Sequence, residues 1–296
     1  MMNKNSNHVK RVPLMMAFAL IMTTLVIMTL NSPVLAKAIE YSKVDHDGSP
    51  VFYAYSGDQE KIGLMFIHGT PGGWTAFHRY LSDSVLQKDF FMVSLDRPGW
   101  GNSILPAEEI DGNFATQSSA MGKIFERFPQ KKWILVGHSL GASIAPQVAL
   151  DHNDAVAGLG LLAGSLSPKL GRPRWYNRAA STWLVSRFIG EHMRFSNREI
   201  MSLRGELSKM DTEIKNSKLA SNVIILQGAK DRLVSPKNPK YAYENWSDNF
   251  NSLKVITIED AGHFLPWRQT QAVVNLIYEL GSLAGKQPNS EQSTSE

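Results

Sequence analysis

Short continuous apolar runs alternate along the chain with segments whose apolar residues recur at helical spacing. Three strand-like runs each end in a glycine-bearing loop: "IGLMFIHG" from Ile62, "FFMVSLDRPG" from Phe90 and "KWILVGHS" from Lys132. Uninterrupted runs of this length suit strands covered on both faces, as in a parallel sheet. Between them, "GWTAFHRYLSDSVLQ" from Gly73 and "NFATQSSAMGKIFERF" from Asn113 read as helices. The alternation continues with a helix from Leu140 to about His152 and strands "AVAGLGLLAG" from Ala155 and "NVIILQG" from Asn222. A helix from Asn238 to Trp246, a strand "LKVITIED" from Leu253 and a last helix from Thr270 to Leu283 complete it. Ahead of these, "AIEYSKVDHDGSPVFYAYSGD" alternates around Asp47 and Gly48, which predicts a β-hairpin. Strands alternating with helices predict an α/β fold, a doubly wound and mostly parallel sheet.

One interval breaks the rhythm. Between Gly164 and Leu219 the patterns are helical only, with Trp175, Tyr176, Trp183, Leu184, Phe188, Ile200, Leu203 and Leu207. This predicts a helical cap over about residues 165–219, inserted above the carboxyl ends of the strands, where open sheets bind ligands. The expected organisation is a leader over 1–36, one domain over 37–284 and a polar, disordered tail over 285–296. No internal repeat interrupts it.

Composition changes this picture little: 43% hydrophobic and 20% charged residues in 296 suit one sizeable core. Charge changes it more. Three of the 31 basic residues, Lys4, Lys10 and Arg11, and none of the 27 acidic ones lie in residues 1–36. The net +4 therefore belongs mostly to the leader, and no nucleic-acid partner is expected. Lys10 and Arg11 precede an apolar run from Leu14 to Leu30, followed by "NSPVLAK" with its helix-breaking Pro33 and small Val34 and Ala36. This predicts a secretory signal peptide cut after Ala36 and an exported protein, periplasmic or secreted. An uncleaved membrane anchor formed by residues 14–30 is the alternative. The absence of cysteine excludes disulfides, a lipid-modified cysteine and thiolate chemistry.

The candidate chemistry starts at "WILVGHSLGAS", Trp133 to Ser143. The GxSxG pattern alone arises by accident in about one chain in ten of this length, so its setting must decide. Here a buried strand precedes Ser139 and a helix follows it, while Gly137 and Gly141 relieve the crowding of a sharp turn. The helix start adds N–H groups that favour a developing oxyanion. A serine hydroxyl needs a base, and His263 in "EDAGHFLPW" follows the last predicted strand, at the same sheet edge as Ser139. His8 falls in the leader, His46 in the hairpin, His78 and His152 in helices and His192 in the cap, while the His138 side chain is expected to point away from the base position. Asp231 in "LQGAKDRLV" follows the preceding strand and can orient His263; Glu259 and Asp260 are expected to cap a strand or face solvent.

With the order Ser139, Asp231, His263, the sequence resembles the α/β-hydrolase superfamily over about Ile62 to Trp267. It is similar to the branch carrying "HGTPGG" and "DRPGWGNS", seen at His68 to Gly73 and Asp96 to Ser103. The resemblance implies an oxyanion hole from the backbone N–H groups of Thr70 and Leu140. His68 would brace that loop by hydrogen bonding. Pro71, Gly72, Gly73, Asp96, Arg97, Gly99 and Gly101 are expected to shape loops. Haloalkane dehalogenases and epoxide hydrolases of similar sequence have an aspartate where Ser139 stands, so the resemblance implies an acyl-serine intermediate. The motif resembles proline iminopeptidases at the HGxPGG loop but departs from their usual residues around the nucleophile.

The expected function is a carboxylic-ester hydrolase acting on a small or medium acyl substrate. Amide or peptide, thioester and carbon–carbon bond hydrolysis, or a non-catalytic binding protein of the same fold, are the alternatives. "GLGLLAG", Gly158 to Gly164, misses the GxGxxG spacing, and neither GxxxxGK[ST] nor HExxH occurs, so no cofactor and no metal are expected. Between Lys169 and Arg198 in the cap, Lys169, Arg172, Arg174, Arg178, Arg187, Arg194 and Arg198 face only Glu191. The pattern predicts a solvated basic face over an aromatic cap core. The sharper alternative is a cap that attracts anionic substrates or anionic membranes, with the acyl pocket below it. Oligomeric state is not legible.

Overall fold

A computed structural model of the chain describes residues 36–105, 112–129 and 131–285. The expected leader and tail lie outside these residues, apart from Ala36 and Gly285. Strand β1 (Glu40–His46) pairs with β2 (Ser49–Gly57) as the predicted hairpin, and Asp47 and Gly48 supply the two positive φ angles of its turn. Strands β3 (Gly63–Ile67), β4 (Phe91–Leu95), β5 (Trp133–His138), β6 (Val156–Leu162), β7 (Leu219–Gly228) and β8 (Phe250–Ile258) follow. The eight-stranded sheet has the order β1-β2-β4-β3-β5-β6-β7-β8. β2 runs antiparallel to both its neighbours, and every pair from β4 to β8 is parallel.

Alternation along the inner strands splits the core into two layers. Met65, Ile67, Val93 and Leu135 face one, Leu64, Phe66, Met92, Ile134 and Val136 the other. The continuous apolar runs in the sequence are the sum of these two buried faces.

Helices α1 (His78–Leu81) and α2 (Leu86–Asp89), after a 3-10 turn at Trp74–Phe77, replace the single helix expected over 73–87. The break has a local cause. Asp83 Oδ1 accepts the N–H groups of Val85 and Leu86 at 2.8 and 3.1 Å, so it caps a second helix instead of continuing the first. Helices α3 (Phe114–Arg127) and α4 (Leu140–Asp151) cover one face, and α10 (Thr270–Gly285), preceded by the single turn α9 (Leu265–Arg268), covers the other.

The insertion after β6 contains α5 (Trp175–Ala180), α6 (Trp183–Ser186) and α7 (Glu191–Lys215), and it divides in two. In α7, Leu203, Leu207, Met210 and Ile214 form one helical stripe buried in the same core layer as α3 and α4. Asp211 ties this half to α8 (Asn238–Trp246), accepting from the Tyr241 hydroxyl and the Trp246 indole, each at 2.8 Å. In contrast α5 and α6 bury no residue. Trp175, Trp183 and Phe188 are 80, 72 and 85% exposed, which corrects the expectation of an aromatic cap core. A helix pair this short has too little surface of its own to enclose four aromatic rings.

Candidate active site

Ser139 sits between β5 and α4 with φ 55° and ψ −118°, a conformation that costs energy for any residue bearing a Cβ. The glycines around it are required by close approach. A Cβ on Gly137 would lie 2.4 Å from the Gly141 carbonyl oxygen, and one on Gly141 would lie 2.1 Å from that of Ile67. The strand can thus turn directly into the helix. Ser139 N–H donates to the Leu162 carbonyl, and the Ser139 carbonyl accepts from Ala142 and Ser143, so the turn is held from both sides. The first helical residue after it is Leu140.

His263, on the loop after β8, lines the same cleft as Ser139. Its Nδ1 donates to Asp231 Oδ2 at 2.8 Å, and both side chains are buried. Asp231 also receives the backbone N–H groups of Leu233 and Val234 on Oδ1, at 2.8 and 2.9 Å, and the Gln227 side-chain amide on Oδ2 at 3.1 Å. Burial alone would raise this carboxyl's pKa. The bonds from His263, Val234 and Leu233 outweigh it and hold the pKa below the ordinary value, so Asp231 is a fixed anion behind His263. Asp260 is exposed and paired with Lys230 instead.

His138 differs from expectation. Its ring lies 4.8 Å from that of His263, it lines the cleft, and its Nε2 donates to the His263 carbonyl at 2.9 Å. Burial, with the nearby His263, lowers its pKa to about 4, so it supports the His263 backbone as a neutral ring. Adjacency to Ser139 in sequence gave no sign of this, because the contact closes over 125 residues.

The loop Gly69 to Ala76 also lines the cleft. It packs directly on the serine turn, since a Cβ on Gly69 would come within 3.0 Å of the Ser139 Cβ. Thr70 lines the cleft, and its hydroxyl is buried with no hydrogen-bond partner among the described residues. His68 braces this loop as expected. Its Nδ1 donates to the Gly69 carbonyl at 2.7 Å, and its Nε2 accepts the Arg97 N–H at 3.0 Å. Burial, reinforced by the Arg97 charge, holds the His68 pKa well below its ordinary value, so this too is a neutral ring.

Arg97 shapes the loop more directly than its sequence position suggests. Fully buried, it donates through Nε to the His68 carbonyl and through Nη2 to the Gly69 carbonyl, both at 3.0 Å. Its charge is met by Glu199 of α7 at 2.6 Å and by Gln117 of α3 at 3.2 Å. Glu199 was not singled out in the sequence, where it is one of many helical acids; only its burial marks it. Asp96 cross-links the same loop, accepting the Trp74 N–H on Oδ1 at 2.8 Å and the Asn102 N–H on Oδ2 at 2.9 Å.

The cleft encloses about 820 Å³, and Trp74, Leu233, Phe264 and Trp267 give it apolar walls. Residues 165–198 do not line it. Among the described residues, no group of three His, Asp or Glu side chains could hold a metal ion.

A family model described as the alpha/beta hydrolase fold matches residues 64–184. The chain is 32% identical over 100 residues to Protein ABHD8 of Homo sapiens, which covers 34% of this chain and 23% of that protein. It thus spans less than a quarter of the length of that curated relative. It is 22% identical over 223 residues to a probable proline iminopeptidase of Leptolyngbya boryana, covering 72% of this chain and 68% of that one. Among solved structures, Cfl2 of Burkholderia cenocepacia superposes with a TM-score of 0.68 at 17% identity, covering 84% of this chain and 97% of the other. At that identity the likeness is one of fold. Strand order, the strained turn after β5 and these matches agree on the α/β-hydrolase fold.

Proposed function

We propose that the protein is a serine hydrolase that cleaves carboxylic esters through an acyl-serine intermediate. One observation carries the reading: an anionic, multiply bonded Asp231 holds His263 on the wall of the cleft that contains Ser139 in its strained turn. With Nδ1 committed to Asp231, His263 Nε2 is the free base. It takes the Ser139 proton as Oγ attacks the ester carbonyl, and the imidazolium formed is stabilised by the carboxylate. The carbonyl oxygen becomes an anion, met by the backbone N–H groups of Leu140 and Thr70. Collapse of the tetrahedral adduct breaks the C–O bond, and His263 returns the proton to the leaving alcohol. Water, deprotonated by the same ring, then releases the acid and restores Ser139.

Apolar walls and a cleft of about 820 Å³ suit a small or medium acyl group. Labelling with a fluorophosphonate, followed by a panel of acyl esters, amides, prolyl peptides and thioesters, tests the reading. Labelling at Ser139 with turnover greatest on esters is expected. Absence of labelling removes the serine mechanism, and labelling with preference for another arm of the panel corrects the substrate class. Export of the body of the chain with loss of residues 1–36 belongs to the same reading. Amino-terminal sequencing from the producing cell should begin at Lys37. A chain beginning at Met1 or Met2 and released only by detergent replaces the signal peptide with an anchor over 14–30.

A further inference from the structure

The helices α5 and α6 present apolar side chains that no other described residue covers. Trp175, Tyr176, Trp183, Leu184 and Phe188 are all exposed, and neither helix buries a residue. A helix on a water-soluble domain ordinarily turns its apolar stripe inward, and a cluster of exposed apolar side chains marks a contact surface. This cluster is laced with cations. From Lys169 to Arg198 seven basic residues stand against the single acid Glu191, and the Arg187 guanidinium lies 4.8 Å from the Trp183 ring centre.

We propose that this face of the cap docks on an anionic phospholipid bilayer. Aromatic rings flanked by arginines are the composition that settles at the headgroup boundary, with rings among the upper acyl chains and guanidinium groups on phosphates. The charge argues against a second copy of the chain, because a two-fold contact through this patch would set its seven cations against the same seven. The position fits a lipid-facing surface beside the cleft. Arg174, one residue before Trp175, donates to the carbonyls of Arg232 and Leu233 at 2.8 and 3.1 Å. Leu233 is itself exposed and lines the cleft with the exposed Phe264 and Trp267. A bilayer touching α5 would lie near the cleft mouth. This inference concerns where the protein sits and is independent of which bond it cleaves.

The test uses the full-length chain and vesicles of phosphatidylcholine with brominated acyl chains, with and without phosphatidylglycerol. Bromine quenches only tryptophans that reach the acyl region, and residues 1–36 contain no tryptophan, so the leader contributes no signal. Quenching on the anionic vesicles is expected in the wild type and its loss in W175F/W183F. R178Q/R187Q/R194Q should bind the anionic vesicles roughly fivefold more weakly for each arginine replaced. These side chains are exposed or at the surface, and an unchanged thermal melt verifies that the variants fold. Equal fractional quenching in wild type and W175F/W183F overturns the proposal, as does equal binding to neutral and anionic vesicles. A dimer that W175S/W183S/F188S dissociates, without quenching in the wild type, overturns it in favour of a second copy. Capture of an acidic protein by the same face, again without quenching, overturns it in favour of that partner.

Discussion

At the cleft, polar and charged side chains are buried and bonded. Asp231 accepts four hydrogen bonds, Arg97 reaches two carbonyls and a carboxylate, and Asp96 joins two loops. In the cap, a few residues along the chain, the reverse holds: Trp175, Trp183 and Phe188 stand in solvent. Both arrangements cost free energy in isolation, since buried charges lose hydration and exposed rings order water. At the cleft the compensation is visible inside the molecule, in the bonds each group makes. In the cap no compensation is found within the described residues, and so it belongs to whatever the surface meets. A feature whose cost is offset within the fold explains the fold, and one whose cost is not offset there points outward.

The comparison can be broken most sharply at the serine. Ser139→Ala should lower kcat by about 10⁵- to 10⁶-fold while leaving the melting temperature unchanged, since only the nucleophile is removed. Retained turnover would detach the buried network from catalysis. Asp231→Asn comes next, with a loss of about 10⁴-fold in kcat, because the amide cannot hold the required tautomer of His263 or stabilise its cation. Steady-state kinetics on the best ester of the panel would measure both. If Asp260→Asn proved the more damaging change, the orienting acid would be misassigned.

Glu199→Ala leaves the Arg97 guanidinium buried without its carboxylate, and should destabilise the protein by about 3–5 kcal/mol in urea unfolding. A midpoint like that of the wild type would mean that Arg97 finds water or another anion, and that the network is less closed than its geometry indicates. The buried histidines give a fourth handle. His138 titrates at about 4 in the folded chain, against an ordinary value of 6.5, so between these the unfolded chain binds the extra proton. Stability must therefore rise with pH through this window and fall as pH drops from 6.5 towards 4, with His68 contributing in the same sense. His138→Gln should remove the His138 share of that slope, on the order of 3 kcal/mol at its acid end, as read by thermal melts across pH. A slope identical in the variant would show that the ring is reached by water. The smallest effect is expected in the cap: Trp183→Ser should shift stability by less than about 0.5 kcal/mol. A larger loss would reveal a packing role that the exposed geometry does not contain.

How far the sequence reached follows from the range of the interactions involved. The strands were legible because two buried faces read as one apolar run, and the Asp47-Gly48 turn because its φ angles need such residues. Ser139, Asp231 and His263 could be singled out because each follows a strand, and parallel strands bring their carboxyl ends to one edge. Thr70 and Leu140 came from the family resemblance and not from any local pattern.

The sequence by itself determined the order of elements, the parallel sheet and the edge at which chemistry could occur, since these rest on periodicity and chain direction, which are local. The tertiary structure alone decided that Glu199 neutralises Arg97 across 102 residues and that His138 supports His263 across 125. It also decided that one half of the insertion joins the core while the other stands exposed. A helical stripe in sequence says only that a face is apolar. Whether that face meets the core or the solvent depends on where the preceding chain has placed the helix, which no local pattern records.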